Sequence, residues 1–119
     1  MPRALVISLT AVTALALSGG GGAEGATYYG KVGPNRTITL KSSKGKIVTS
    51  IKKGIHKFVI TDTSGIHNFI LSRAGTTVRK TTLEFEGRVS WTVRIKRGKT
   101  YRYYCSSHES QMSRTFKVP

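Results

Sequence analysis

The chain has 119 residues, with 20 Lys and Arg against 5 Asp and Glu, a formal net charge of +15 and a single cysteine. That length has room for one domain, and one cysteine excludes an internal disulfide framework. A charge this large ordinarily suggests nucleic acid. Here the cations are spread from Lys31 to Lys117, with few clusters beyond Lys52-Lys53 and Lys96-Arg97, and the N-terminus argues for export, so no nucleic-acid partner is expected.

Met1-Pro2-Arg3 gives a short basic start, and Ala4 to Leu17 is an apolar run interrupted only by Ser and Thr. Ser18, Gly19 to Gly22 and Ala23 then supply small residues. This order is that of a secretory signal peptide, and the run is short for a membrane span. Cleavage after Ser18 or Ala23 fits, and the absence of a nearby cysteine excludes a lipid-modified one. Residues 1–26 are therefore expected to be a signal peptide and Gly-rich leader, and residues 27–119 a single domain. The mature chain is expected to have no membrane span and to be periplasmic or extracellular. A lone thiol in such an oxidising compartment calls for an explanation, either burial or metal binding.

From residue 27 onward the apolar residues alternate with polar ones and show no helical period. Ile38 and Leu40 alternate with Thr37 and Thr39. Phe58 and Ile60 follow a turn at Lys53-Gly54. His67, Phe69 and Leu71 share a face after Ser64-Gly65, and Leu83 and Phe85 alternate with Glu84 and Glu86. The clearest strand carries Val89, Trp91, Val93 and Ile95 on one side and Arg88, Ser90, Thr92 and Arg94 on the other. Arg97-Gly98-Lys99 turns it into a strand on which Tyr101, Tyr103 and Cys105 point the same way, and Phe116 and Val118 close the chain. Short strands at this spacing predict an all-β, Greek-key antiparallel β-sandwich of seven or eight strands. Outward Lys and Arg then serve as protection for sheet edges. Trp91, Tyr101 and Tyr103 are expected in the core and His56 on the surface.

The segment Tyr104-Cys105-Ser106-Ser107-His108-Glu109-Ser110-Gln111-Met112 places a thiolate, an imidazole and a thioether at the end of one strand. His67-Asn68-Phe69 offers a second imidazole on a buried face. Two His nitrogens and a Cys sulfur form a trigonal set, to which Met adds a weak axial bond, and this combination suits an electron-transfer copper ion. Zinc would take Cys and two His but gain little from Met, and a closed zinc site ordinarily has more Cys or His. Taken singly, a histidine, a cysteine or a methionine in a β-sandwich is more often core packing than ligation; four together at this spacing favour a metal. Asp62, Glu84, Glu86 and Glu109 form no paired-carboxylate arrangement, and no nucleophile–base order stands out, so no enzymatic activity is expected.

The pattern His67-Asn68-Phe69, Tyr104-Cys105-x-x-His108-x-x-x-Met112 and Phe116-x-Val118 resembles the cupredoxin family of plastocyanin-like blue-copper proteins, in its small exported bacterial form. The likeness extends through Gly87, Ser90, Thr92-Val93, Gly98 and Tyr101, so it covers roughly residues 35–118. It implies one copper per chain, cycling between Cu(I) and Cu(II), with His67, Cys105, His108 and Met112 as ligands. It further implies that His108 reaches the surface to pass electrons and that Met112 helps set the potential. Asn68 is implied to bond the residue after the cysteine, Ser106, and Tyr104 to offer a second electron path. The sequence departs from the family in having Arg114 two residues after Met112, where Gly is frequent, so the turn there is expected to differ.

The leading expectation is a one-electron carrier between envelope redox proteins, monomeric, docking transiently on acidic partners and on anionic envelope surfaces. The alternative is copper handling, by storage, delivery or sensing, without a dedicated electron-transfer role. A basic interaction module that needs no metal ranks third; it predicts that Cys105→Ala leaves function intact.

Overall fold

A computed structural model describes residues 25–119, so the expected signal peptide and leader, residues 1–26, lies outside the described residues except for Gly25 and Ala26. Among these residues the chain forms eight strands and no helix. They are β1 (Thr27–Val32), β2 (Ile38–Lys41), β3 (Gly54–Asp62), β4 (Ile70–Arg73), β5 (Thr76–Lys80), β6 (Gly87–Ile95), β7 (Tyr101–Tyr104) and β8 (Ser113–Phe116). Two four-stranded sheets result, in the orders β2-β1-β3-β6 and β5-β4-β7-β8. All pairings are antiparallel except β1 with β3, which run parallel because the chain leaves β2, crosses the end of the sandwich and returns on the far side of β1.

The two-residue period puts the core between the sheets. On β3, Phe58 and Ile60 are fully buried while Ile55 and Lys57 face out. Val93 and Ile95 of β6 join them, with Trp91 and Val89 partly buried at the margin. The second sheet contributes Leu71, Tyr101, Tyr103 and Phe116. Two flat stacks organise that layer: Phe69 on Tyr103 at 5.3 Å and Tyr101 on Phe116 at 5.1 Å between ring centroids. Such stacking adds to the burial each ring contributes.

Four local features differ from the expectation. Residues 83–86 form a turn and not a strand: Phe85 N–H donates to the Thr82 carbonyl, and Leu83 is left 40 % exposed. A two-repeat alternation among glutamates is too short to distinguish a strand from a loop. Conversely, β1 and β5 were not anticipated. The inward row of β1 contains Gly30, which has no side chain to register as apolar. A Cβ there would lie 2.5 Å from Ile60 Cδ1 and 2.9 Å from Phe69, so the core fills the space a side chain would need. The edge strand β5 has only Val78 half-buried, so its pattern carries no alternation.

His56, expected on the surface, is buried at 3 % exposure. It shares the inward parity of Phe58 and Ile60, and its ring is satisfied at both nitrogens. Nδ1 accepts from Ala26 N–H at 3.0 Å, which leaves the proton on Nε2 to donate to the Lys52 carbonyl at 2.7 Å. Buried imidazoles are tolerated when both nitrogens are paired in this way.

Candidate metal centre

The register of the second sheet brings the distant ligand candidates together. β4 and β7 are its central strands, and Ile70 stands opposite Tyr104. Continued past the strand ends, that antiparallel register sets the 67–69 segment beside the 105–107 segment, although they are 38 residues apart. The loop from Cys105 to Met112 is closed by its own backbone. Cys105 N–H donates to the Met112 carbonyl at 3.1 Å, and His108 N–H to the Cys105 carbonyl at 3.1 Å. Met112 N–H in turn donates to the His108 carbonyl at 2.8 Å. β8 then starts at Ser113, paired with Tyr104, so both ends of the loop are held by strands.

Cys105 Sγ lies 3.7 Å from His67 Nδ1 and 3.9 Å from His108 Nδ1. The three donor atoms all fall within 4.8 Å of one another, the one such His/Cys/Asp/Glu group among the described residues. The imidazoles meet edge to face at 4.9 Å between centroids. Cys105 is fully buried, His67 is 2 % exposed and His108 half-buried. Met112 is buried in the same core cluster as Cys105. Ser107 Oγ lies 3.4 Å from the sulfur and 3.2 Å from His108 Nδ1.

The donor spacing can be compared with coordination. A thiolate at about 2.3 Å and an imidazole at about 2.0 Å from one ion, about 120° apart, stand about 3.7 Å from each other. The sulfur–nitrogen separations here are 3.7 Å to His67 and 3.9 Å to His108, the first at that value and the second slightly longer. The donor set of one thiolate and two imidazoles beside a buried thioether fits a single copper ion.

Asn68 fastens the two segments. Its Oδ1 accepts from Ser106 N–H at 2.8 Å and from Ser106 Oγ at 3.3 Å, as the resemblance implied. Its Nδ2 donates to the Thr81 carbonyl at 3.3 Å. Thr81 is a residue that the sequence did not single out. Its Oγ1 accepts from Phe69 N–H at 2.9 Å, and its own N–H donates to the Phe69 carbonyl at 3.0 Å. Inside the run Lys80-Thr81-Thr82 nothing in sequence distinguishes Thr81 from a solvated loop threonine.

Behind the site, Asp62 is 1 % exposed. One oxygen accepts from Ser64 N–H at 2.9 Å, which shapes the turn into His67, while Oδ2 has no protein partner. Desolvation pushes its carboxyl pKa up, partly countered by the Ser64 bond and by His67. At the mouth, Asn35, Arg36 and Ile66 surround His67 and His108 in an open depression. His108 is held below the usual imidazole pKa, first by partial desolvation and then by the positive charge of Arg36 and by His67. A neutral imidazole is the form that binds metal.

Two further residues from the sequence reading are placed as follows. Tyr104 is half-buried, with the Arg102 guanidinium 4.1 Å above its ring. Arg114 lies in regular β8 opposite Tyr103, outside the positive-φ residues, and its Nε donates to the Ile38 carbonyl of the other sheet at 3.0 Å. The strand begins directly after Met112, so no glycine-dependent turn is needed, and the arginine instead ties two sheet edges.

Comparison with protein-family models and with curated protein sequences finds no match. Among solved structures, the chain resembles rusticyanin from Thiobacillus ferrooxidans at a TM-score of 0.65 and 15 % identity, covering 81 % of this chain and 78 % of that one. Reduced rusticyanin matches at 0.63 and 16 %, over 87 % and 82 % of the two chains. A further structure described as the copper protein rusticyanin matches at 0.64 and 14 %, over 81 % and 78 %. At these identities the likeness concerns the fold, which is the cupredoxin-like sandwich that the ligand segments resembled in sequence.

Proposed function

We propose that the chain is a type 1 copper protein and serves as a one-electron carrier, not an enzyme, with His67, Cys105, His108 and Met112 as ligands. The observation that carries the reading is the convergence of three donor atoms within 4.8 Å, two of them buried and only His108 reaching the surface. When bound, copper supplies a couple between Cu(I) and Cu(II). The chain's own residues hold the donors in place. Asn68, Thr81 and the self-bonded loop fix the cysteine segment against β4, which limits rearrangement between oxidation states. Burial of Cys105 and Met112 keeps water from the sulfur ligands. The edge of His108 is the short way out for an electron, and Tyr104 would provide a second.

Burial also favours carriage over copper handling, because an ion meant for delivery needs ligands that a recipient can reach. Export to the envelope and acidic redox partners complete the proposal; among the described residues no helix is long and apolar enough to cross a membrane. The test is a Cu(II) titration followed by optical and electron-spin-resonance spectra, beside Cys105→Ser. An intense thiolate-to-copper band with narrow hyperfine splitting, one ion per chain and loss of both in the variant are expected. An ordinary Cu(II) spectrum indifferent to Cys105 would overturn the reading. Rapid loss of the ion to a chelator in either oxidation state would favour handling over carriage.

A further inference from the structure

The molecule is electrically polarised along its strands. The metal site lies at the end where β3 finishes opposite the start of β6, with Asp62 paired to Gly87, and where β7 gives way to the Cys105 loop. Of the chain's 5 acidic residues, the four that are described, Asp62, Glu84, Glu86 and Glu109, all belong to that end. Glu86 and His67 both act on Asp62, the Glu84 carbonyl lies beside Gly65, and Glu109 follows His108. The opposite end has the reverse character. Lys52, Lys53, Arg94, Lys96 and Arg97 line one open depression with Pro119, and all five are exposed. The ion pair found among the described residues, Arg102 with Glu109, is elsewhere, so none of these five cations has an acidic partner there.

Two more features share this end. β1 starts here, with Thr27 opposite Lys57 and Ala26 bonded to His56 and Lys57. The described chain therefore begins towards the cationic end of the sandwich. Ile55, 42 % exposed, stands in register with Arg94 and places apolar surface among the charges.

We propose that this end is a docking surface for an anionic lipid bilayer, which leaves the His108 end turned away from the membrane. Clustered Lys and Arg bind anionic headgroups without any fixed geometry, and a nearby exposed aliphatic side chain adds interfacial burial. An acidic protein is disfavoured because the depression lacks the buried aromatic anchors that concentrate binding energy at protein interfaces. The inference rests on charge placement and is independent of the copper reading.

The test is co-sedimentation of the exported protein with phosphatidylcholine vesicles, with and without phosphatidylglycerol. The variants K52Q/K53Q/R97Q and K31Q/K80Q/R88Q lose the same charge, the first at the cationic end and the second near the metal end. With about fivefold per cation at the surface, the first triple is expected to lower partitioning by about a hundredfold and the second by less than tenfold. Both should unfold at the temperature of the parent, which separates lost binding from lost folding. Equal loss in the two triples would overturn the proposal in favour of net charge alone. So would binding that ignores phosphatidylglycerol, or binding of soluble polyphosphate with none to vesicles.

Discussion

Tyr103 shows how a single side chain can stabilise the sandwich and weaken it at once. Its ring is fully buried in a flat stack on Phe69, yet its hydroxyl has no hydrogen-bond partner. Burial raises its pKa above the ordinary 10.0; Arg114 and the Leu40 amide offset part of the shift without completing a hydrogen bond. An orphaned buried hydroxyl costs about 1–3 kcal/mol, whereas removing it keeps the stack. Tyr103→Phe is therefore expected to raise the unfolding free energy by about 1 kcal/mol at neutral pH. The sign with pH follows from the raised native pKa. Below the unfolded value near 10 both states keep the proton and nothing changes. Above it the unfolded chain releases the proton first, so stability falls as pH climbs towards the native value. Chemical denaturation between neutral pH and pH 11 would show that fall in the parent and a smaller one in the variant. A loss of stability in Tyr103→Phe at neutral pH would mean that the hydroxyl is satisfied.

The same scale shows what sequence could reveal. His67, Cys105, His108 and Met112 stood out because soft ligands are few in this chain and each is rare in its context. His56 was misread as a surface residue although its parity with Phe58 placed it inward; isolation from other ligands says nothing about burial. Thr81 could not be found at all, since its role depends on which backbone groups the fold lays beside it.

At the scale of elements, the site is a junction between two segments that the chain alone does not hold together. The Cys105–Met112 loop is bonded internally, and β4 and β7 are paired; beyond the His67 Nδ1 to Cys105 Sγ contact, Asn68 joins the His67 segment to the cysteine loop through Ser106 while also reaching Thr81. Asn68→Ala removes these bonds and leaves the Ser106 N–H without its acceptor. The expected loss is about 1–3 kcal/mol of stability, together with faster copper release to a chelator. Thermal unfolding and chelator kinetics on the loaded protein measure the two effects. An unchanged release rate would mean that the loop's own backbone bonds suffice.

Elements with strong alternation were legible: β3, β6 and β7 follow from Phe58-x-Ile60, Val89 to Ile95 and Tyr101-x-Tyr103. β1 was not, because Gly30 occupies an inward position where the core comes from Ile60 and Phe69 of other elements. Its parallel pairing with β3 is set by a crossover that no local pattern records.

For the whole molecule, the net charge of +15 is a poor guide to what a partner at His108 encounters. β3 has nine residues and spans the length of its sheet, about 30 Å at about 3.3 Å per residue. The Debye length at physiological ionic strength is about 8 Å, so the cations around Lys52 and Arg97 are screened from His108. Near the site, four acidic residues offset the local arginines, and Arg36 is the cation that acts directly on the imidazole. Electron exchange with a small anionic oxidant should therefore slow only gently as salt rises, far less than a uniformly charged sphere of this net charge would require. Stopped-flow rates over a series of salt concentrations, for the copper-loaded parent and for two charge variants, decide the matter. Arg36→Gln is expected to lower the low-salt rate several-fold and flatten the slope, while K52Q/K53Q/R97Q leaves both unchanged. If the distant triple flattens the slope as much as Arg36→Gln does, the far cations act at the metal end after all. The electrical separation of the two ends, on which simultaneous membrane docking and electron exchange would depend, would then be lost.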